Sequence, residues 1–250
     1  MEAREQNPDK PGTGKLYVIT TPIGNYADMT IRAVKALEDC DILICEEFKE
    51  ARRLLYFFGI EKELLQLNEH NEKGFASEYV HHILEGKSVG LISDCGTPSF
   101  ADPGNKLINE CIAYKQEIEF VHGANSVFAA LAVCGFDISR FYYSGFLSPK
   151  KDIRRQELRG LAFLKEPFVL LDTPYRLTAL LTDLAEIFPD RNAITAFNLT
   201  MDDETIFRGN IKNILHQISA KSEDKKLKGE FVIVVDKKNK YSDTDTAVMN

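Results

Sequence analysis

The segment from Ser93 to Gly104, SDCGTPSFADPG, contains the residue types best suited to bind a ligand. Asp94 and Asp102 can accept hydrogen bonds from a polar ligand, the two glycines allow close backbone approach, and the two prolines fix the loop. The apolar run at 88–92 directly before it predicts a buried strand, and in open parallel sheets ligands bind beyond the carboxyl ends of strands. The segment alone is equally compatible with a structural turn whose acids are solvated.

A second candidate ligand loop is the segment 20–30, TTPIGNYADMT, which follows the apolar, β-branched run 16–20. Its polar side chains and its single glycine lie where a strand is predicted to end. It lacks the G-x-G-x-x-G pattern of dinucleotide-binding folds, which argues against a dehydrogenase.

Two groups of basic residues could meet an anionic partner. The net charge of −7 argues against broad, non-specific binding of nucleic acid, but it leaves room for a local basic surface. On pattern alone, a solvated helix face is favoured for both groups. The groups are Lys49, Arg52 and Arg53, and then Lys150, Lys151, Arg154, Arg155 and Arg159.

The five cysteines and five histidines predict no metal site. No two cysteines have the two-residue spacing of a zinc or redox motif, and the neighbours His81 and His82 point to different helix faces. No apolar run reaches the roughly 18 residues of a membrane span, and the polar start at 1–14 lacks the apolar core of a secretory signal. These features predict a cytoplasmic protein without a membrane segment.

The elements that must position these residues alternate along the chain, which predicts an α/β protein. Between 15 and 121 the alternation indicates βαβ units and a parallel sheet, and a second series follows from 122 to 236. The predicted strands are 16–20, 41–45, 64–67, 88–92, 118–121, 140–145, 168–171, 193–197 and 231–235. The predicted helices are 30–37, 50–58, 74–84, 106–113, 126–134, 176–187 and 211–218, the last with Asn210 as its N-cap.

This alternation predicts two domains, 15–121 and 122–236, joined near Gly123. The polar segments 1–14 and 237–250 are predicted to be flexible tails. The composition, 44% hydrophobic and 28% charged, provides ample core for a chain of 250 residues.

Six segments in order resemble one family, the ribosomal RNA small subunit methyltransferase I family of the tetrapyrrole methylase superfamily. The sequence CEEFKEARRLL at 45–55 is similar to its E-D-T-R-x-x-R-R-L-L segment, and 93–104 is similar to its S-D-A-G-T-P-x-x-x-D-P-G segment. The similarity runs from about Lys15 to Val235. The other matching segments are VITTPIGN at 18–25, NEHNE at 68–72, GFLSP at 145–149 and KGE at 228–230.

The resemblance implies two αβα domains with S-adenosylmethionine in the cleft between them, and a homodimer. It also implies transfer of a methyl group to the ribose 2′-hydroxyl of a cytidine in 16S ribosomal RNA, within the decoding centre of the small subunit. In such a reaction the enzyme aligns the hydroxyl with the carbon–sulfur bond of the cofactor, and a nearby base accepts the proton. No metal is required.

The resemblance also implies roles for individual residues. The residues expected to bind the cofactor are Pro22, Gly24, Asp94, Gly96, Thr97, Asn125 and Ser126. Those expected to act in catalysis or to orient the substrate are Glu46, Glu47 and Asn25. Those expected to contact RNA are Lys49, Arg52, Arg53, Lys150, Lys151, Arg154 and Arg155.

The sequence departs from the family pattern mainly at positions expected on the substrate side. The family's E-D-T-R is EEFK at 46–49, its P-G-P-S-A is HGANS at 122–126, and its R-E-L-T-K is FNLTM at 197–201. Two alternatives therefore stay open: methylation of a tetrapyrrole-like or other small acceptor, and a homologue that binds the cofactor with impaired catalysis. The basic residues at 150–159 favour RNA, whereas the charges missing at 197–201 favour the alternatives.

Overall fold

The structure of the protein is a computed structural model that describes residues 14–224 and 229–237. This part of the chain contains two five-stranded sheets, and most of their strands are short apolar runs. The chain divides into two units, Met1–Asn125 and Ser126–Asn250. Apart from Gly14 and Lys237, the predicted tails lie outside the described residues, as does Lys228 of the KGE segment. Within the described part of the chain, no helix is long and apolar enough to cross a membrane.

The first unit is built on a sheet in which every strand pair is parallel, as the βαβ pattern predicts. The strand order is β3-β2-β4-β1-β5. The strands are β1 (Lys15–Ile19), β2 (Ile42–Cys45), β3 (Glu63–Gln66), β4 (Val89–Ile92) and β5 (Glu117–Val121). The helices are α1 (Ile31–Asp39), α2 (Phe48–Phe58), α3 (Glu72–Leu84) and α4 (Asn105–Ala113).

Helices cover both faces of this parallel sheet. Alternate strand residues point to opposite faces, so Ile19 packs with α1 and α2, whereas Leu16 packs with α3 and α4. Parallel sheets require such cover on both sides, and the apolar runs of β2 and β4 are buried throughout for that reason. The result is a three-layer αβα arrangement.

The second unit has a mixed sheet with the strand order β6-β7-β10-β8-β9. Only β6 and β7 pair in parallel, and β10 lies between β7 and β8, antiparallel to both. The strands are β6 (Tyr142–Phe146), β7 (Phe168–Asp172), β8 (Asn192–Phe197), β9 (Thr205–Asn210) and β10 (Phe231–Val235). The helices are α5 (Ser126–Cys134), α6 (Lys151–Leu161), α7 (Leu177–Ile187) and α8 (Ile211–Asp224).

Helices also cover both faces of this sheet, which confirms the predicted α/β class with two αβα domains. Phe231 and Ile233 of β10 pack in one core with α6, α7 and α8. Val232 and Val234 are buried too, and by alternation they face the other side, where α5 packs on β8 and β10.

The structure adds the strand β9, which the sequence patterns did not predict, and the helix α6, which only the pattern of basic residues at 150–159 indicated. The sequence of α6 is dominated by charged residues, and β9 contains Arg208 and Gly209, so neither shows a clear apolar pattern. Asn210, the predicted N-cap, is the last residue of β9. Its Oδ1 nevertheless accepts a hydrogen bond from the Lys212 N–H at 2.9 Å, as a cap does.

Candidate active site

Three loops that carry predicted site residues meet at the carboxyl edge of the parallel sheet. They follow β1, β2 and β4, and parallel strands present their carboxyl ends at one edge. Because β4 lies between β2 and β1, its loop is flanked by the other two. The strand order therefore brings segments 20–30, 46–47 and 93–104 together.

Gly96 connects the β1 loop to the β4 loop. Its carbonyl accepts hydrogen bonds from the Thr21 N–H at 2.9 Å and from the Ser93 Oγ at 3.1 Å. The φ angle of Gly96 is +84°, a conformation that side chains disfavour, and an added Cβ would lie 3.3 Å from Ile23 Cγ2. A glycine is required here because the turn must reach left-handed backbone geometry within a packed loop.

Asp94 connects the β4 loop to the start of α2. Its Oδ1 accepts a hydrogen bond from the Glu47 N–H at 3.1 Å, and Glu47 directly precedes the first residue of α2. Burial raises the pKa of the Asp94 carboxyl, although the hydrogen bond from Glu47 opposes this rise. Asp94 is nevertheless exposed, so its carboxyl group combines a structural hydrogen bond with access for a ligand.

Glu46 and Asp102 complete a cluster of carboxyl groups with Asp94. Burial raises the pKa of Glu46 from 4.5 to about 7, and the nearby charges of Asp102 and Asp94 add to the rise. Burial likewise raises the pKa of Asp102 to about 6, with a further contribution from Asp94. Like charges that share a poorly solvated site disfavour one another's ionisation. Near neutral pH, Glu46 is therefore divided between its protonated and ionised forms.

The two adjacent glutamates differ in environment. The backbone of Glu46 is held by the Gln66 side chain, whose Nε2 donates to the Glu46 carbonyl at 3.0 Å, and its carboxyl is half-buried among acids. The side chain of Glu47 is exposed. Glu46 thus has the environment expected of a group that exchanges a proton near neutral pH.

The predicted site residues of the β1 loop differ in their exposure. Pro22 is buried, Gly24 is half-buried and Asn25 is exposed. The Asn25 Oδ1 accepts a hydrogen bond from the Ala27 N–H at 2.9 Å and so caps a short 3₁₀ helix at 26–28. A narrow recess between this loop and the β4 loop is lined in part by Pro22 and Asp94.

Thr97 and Asn125 are also brought together, although 28 residues separate them. The Asn125 Nδ2 donates to the Thr97 Oγ1 at 3.3 Å. Asn125 is the last residue of the first unit, and Ser126 is the first residue of α5 in the second.

The sequence indicates Asp102 as a possible hydrogen-bond acceptor of the ligand loop, but the resemblance assigns it no role in the site. Asp102 lies in the matched loop, but eight positions of separation from Asp94 do not reveal that the loop folds back to bring both carboxyl groups near Glu46. The available signal was the acid–proline–glycine sequence at 102–104, which is typical of a tight reversal.

The first predicted basic group forms an exposed stripe on α2. Lys49, Arg52 and Arg53 lie at helical spacings of three and four residues, so their side chains share one face. Glu50 lies 3.6 Å from Arg53 and 4.0 Å from Lys49, which partly balances these two charges.

The fold separates the residues of the second basic group. The structure corrects the prediction that Arg154 contacts RNA, because this side chain is buried. Arg154 is only 4% exposed, and its Nε and Nη2 donate to Asp183 Oδ2 at 2.8 and 2.6 Å. It therefore stabilises the packing of α6 on α7, away from the surface. Arg155 is half-buried beside Asp183 and Glu186, whereas Lys150 and Lys151 are exposed.

Comparisons with known proteins agree on one family. The family model described as "Tetrapyrrole (Corrin/Porphyrin) Methylases" matches residues 15–215. A protein of Neisseria meningitidis serogroup B named "Ribosomal RNA small subunit methyltransferase I" is 38% identical over 222 residues, or 89% of this chain and 76% of that protein. The protein of the same name from Thermotoga maritima is 36% identical over 89% of this chain and 98% of its own length.

A solved structure shows the same fold at lower sequence identity. The crystal structure of diphthine synthase superposes with a TM-score of 0.68 at 16% identity and covers 90% of each chain. Because the identity is so low, this similarity supports the architecture alone.

Proposed function

Because the chain belongs to the tetrapyrrole methylase family, and within it to the ribosomal RNA small subunit methyltransferase I family, we propose that it methylates 16S ribosomal RNA. The family match confirms the resemblance found in the sequence motifs, and the chain is a methyltransferase. The acceptor that we propose is the ribose 2′-hydroxyl of a cytidine in the small subunit. We further propose that the protein acts as a homodimer in the cytoplasm.

The observation that carries this proposal is the carboxyl cluster at the edge of the parallel sheet, which fits a positively charged methyl donor. A cation beside Glu46, Asp94 and Asp102 would favour their ionised forms, and it would offset the partial desolvation of Glu46 and Asp102, whose side chains are half-buried. When bound, S-adenosylmethionine supplies an electrophilic methyl group on a positively charged sulfur. The residues that we propose to hold it are Pro22, Gly24, Asp94, Gly96, Thr97, Asn125 and Ser126.

Glu46 is the residue that we propose as the general base. A ribose hydroxyl is a weak nucleophile, and a positioned carboxylate that accepts its proton lowers the barrier. In that step the ribose hydroxyl would lose its proton to the Glu46 carboxylate while its oxygen takes the methyl group, whose bond to the donor sulfur breaks and leaves a neutral thioether. The pKa of Glu46 is about 7 in the free protein, and a bound cation would lower it, which keeps the carboxylate ionised and able to accept the proton near neutral pH.

For Glu47 and Asn25 we propose positioning roles in the same reaction. The Glu47 N–H is bound by Asp94, so this residue fixes the start of α2 relative to the β4 loop. The Asn25 side chain caps the 3₁₀ helix of the β1 loop and so keeps the loop in shape. Neither observation gives the side chain a direct part in proton transfer.

For RNA binding we propose the α2 stripe, together with the exposed Lys150 and Lys151. Lysine and arginine side chains on an otherwise acidic protein favour local contacts with phosphate over broad binding. Arg155 contributes less in this proposal, because Asp183 and Glu186 already compensate its charge.

The test is mass mapping of small-subunit RNA from strains with and without the gene, followed by methylation of the unmodified subunits with purified protein. We expect one cytidine ribose to lose its methyl group in the strain without the gene and to regain it in vitro. Cofactor binding by calorimetry without any RNA modification would overturn the proposed acceptor and favour a small-molecule substrate. If the protein binds no S-adenosylmethionine at millimolar concentration, the proposed cofactor and reaction both fail, and the fold alone stands.

The Asp94→Asn variant tests the proposed cofactor site. Asparagine can still accept the Glu47 hydrogen bond but carries no charge, so we expect roughly 10- to 100-fold weaker binding of S-adenosylmethionine with little change in thermal stability. Isothermal calorimetry and thermal unfolding measure the two effects. Asp41→Asn is the matched control, because Asp41 accepts a backbone hydrogen bond from Ser88 at the opposite edge of the sheet. A loss of stability as large as the loss of binding would make Asp94 structural only.

A further inference from the structure

A surface pocket beside α2 is separate from the carboxyl cluster and is not used in the proposed reaction. It has a volume of about 350 Å³ and lies between α2 and the chain that leads into β3. Its walls include Phe48, Arg52 and Tyr56 from the helix and Lys62 and Leu64 from the neighbouring segment. A pocket of this size is within the range that holds small, flat ligand groups.

The helical wall of this pocket alternates aromatic and cationic side chains. Phe48, Arg52 and Tyr56 are spaced four residues apart, which places them in one row along α2. The Arg52 guanidinium carbon lies 5.5 Å from the centre of the Phe48 ring, within the range of a cation–π contact. Guanidinium and aromatic planes arranged in this way are surfaces on which bases stack.

Two features of the row suit it to bind a ligand. Tyr56 is 89% exposed at the rim of the pocket, so its ring is open to a stacking partner. Arg52 has no ion pair among residues 14–224 and 229–237, whereas its neighbours Lys49 and Arg53 both lie near Glu50. The acid Glu61 also lines the pocket but forms no ion pair with Arg52 in the described part of the chain. A guanidinium without an ion pair, next to an exposed ring, complements a group that has both a π-face and a negative charge.

The opposite wall is held in place by contacts of its own. Lys62 Nζ donates to the carbonyls of Glu38 and Cys40, both at 2.6 Å, and so links the pocket wall to the end of α1. The pocket is thereby supported before any ligand binds, which reduces the ordering cost of binding.

The position of the row connects it to the site of reaction. Phe48 is two residues after Glu46, and the rise of an α-helix carries the row about 12 Å from Phe48 to Tyr56. Phe48 also stands where the family pattern E-D-T-R has threonine, so this aromatic wall is a feature of this chain relative to that pattern.

We propose that this pocket stacks an unpaired base of the substrate RNA that flanks the methylated nucleotide, with Arg52 contacting the adjoining phosphate. The inference rests on the proposed function, because it assumes that RNA is the substrate. RNA is the occupant favoured here because the row joins stacking planes to positive charge, and single-stranded RNA is recognised by that combination. Lys49 and Arg53 lie on the adjacent face of α2, where the backbone of the same strand would pass.

The experiment measures binding of a fluorescein-labelled single-stranded oligocytidine of about 10 nucleotides, within the usual site size for such surfaces. For Tyr56→Ala we expect roughly 5- to 150-fold weaker binding, the loss that corresponds to one stacked base. The salt dependence of binding should be unchanged in Tyr56→Ala, but its slope should fall by about one in Arg52→Ala, which removes the proposed phosphate contact. Tyr114→Ala, an exposed tyrosine at the end of α4, is the matched control.

Methylation of unmodified small subunits separates failure of this inference from failure of the proposed function. If the unaltered protein methylates them but Tyr56→Ala binds and turns over equally well, the pocket proposal is overturned while the function stands. If the unaltered protein neither binds the oligonucleotide nor methylates the subunits, the function itself fails. A change in solution mass of Tyr56→Ala without a change in RNA binding would assign the pocket to a second copy of the chain and overturn the proposal.

Discussion

Replacing Glu46 by glutamine is expected to lower kcat for RNA methylation by roughly 100- to 10,000-fold, the usual contribution of a positioned general base. Glutamine has nearly the same shape, and the Glu46 carbonyl that binds Gln66 is unaffected by the change. Binding of S-adenosylmethionine should weaken much less than kcat falls, because Asp94 and Asp102 remain. Single-turnover methylation of unmodified small subunits, with calorimetry for the cofactor, measures both effects.

The pH profile gives this prediction a second readout. The base must be ionised to accept a proton, so kcat/KM of the unaltered protein should rise with pH and level off above about 7, the pKa of Glu46 in the free protein. In Glu46→Gln this rise should disappear. Glu117→Gln, an exposed glutamate at the amino end of β5, should retain both the rate and the rise. If Glu46→Gln keeps the same pH-dependent limb at a high rate, the proton acceptor lies elsewhere.

Replacing Asp183 by alanine is expected to lower the free energy of unfolding by about 3–5 kcal/mol, because it leaves a buried guanidinium without its counter-charge. Asp183 is 1% exposed and accepts two hydrogen bonds from Arg154, which is also buried. Urea unfolding followed by circular dichroism measures the loss. The double variant Arg154→Met, Asp183→Leu should regain most of it, since an apolar pair of similar volume can replace a buried ion pair.

An exposed ion pair in the same unit provides the control for Asp183. Asp137 lies 2.8 Å from Lys237, and both side chains are largely open to water. Solvent and salt screen such a pair, so Asp137→Ala should unfold almost as the unaltered protein does. Equal behaviour of Asp183→Ala and Asp137→Ala would mean that burial adds nothing to the Arg154 contact.

The parts of the fold that could be predicted from the sequence are those whose signal is local. The apolar run of β4 and the turn residues after it indicate a buried strand and a ligand loop without knowledge of the rest. Arg154 is a residue whose environment local sequence patterns do not predict. On a helix with many charged residues it looks like a surface side chain, and its partner Asp183 lies 29 positions away on another helix. Only the packing of α6 on α7 reveals that the two belong together.

The candidate site was predicted as a set of loops, but the sequence did not distinguish the roles within it. Glu46 and Glu47 are adjacent residues of the same type, so the sequence does not show which side chain is buried. In the structure, Glu46 is half-buried among acids and Glu47 is exposed. The grouping of Asp94 and Asp102 with Glu46 depends on β4 lying beside β2, and strand order is a property of the whole sheet. Tertiary arrangement therefore distinguishes the two glutamates, and our proposal that Glu46 accepts the proton rests on this difference.

The central position of β10 has a consequence for synthesis of the protein on the ribosome. β10 emerges after the other strands of the described chain, yet it joins β7 to β8 and is buried along its whole length. Until it emerges, β6–β7 and β8–β9 can form only as separate pairs, each with an open edge that invites association with other chains. A nascent chain that stops before Phe231 cannot close this sheet. The facing edges of β7 and β8 are therefore covered only after β10 has been synthesised.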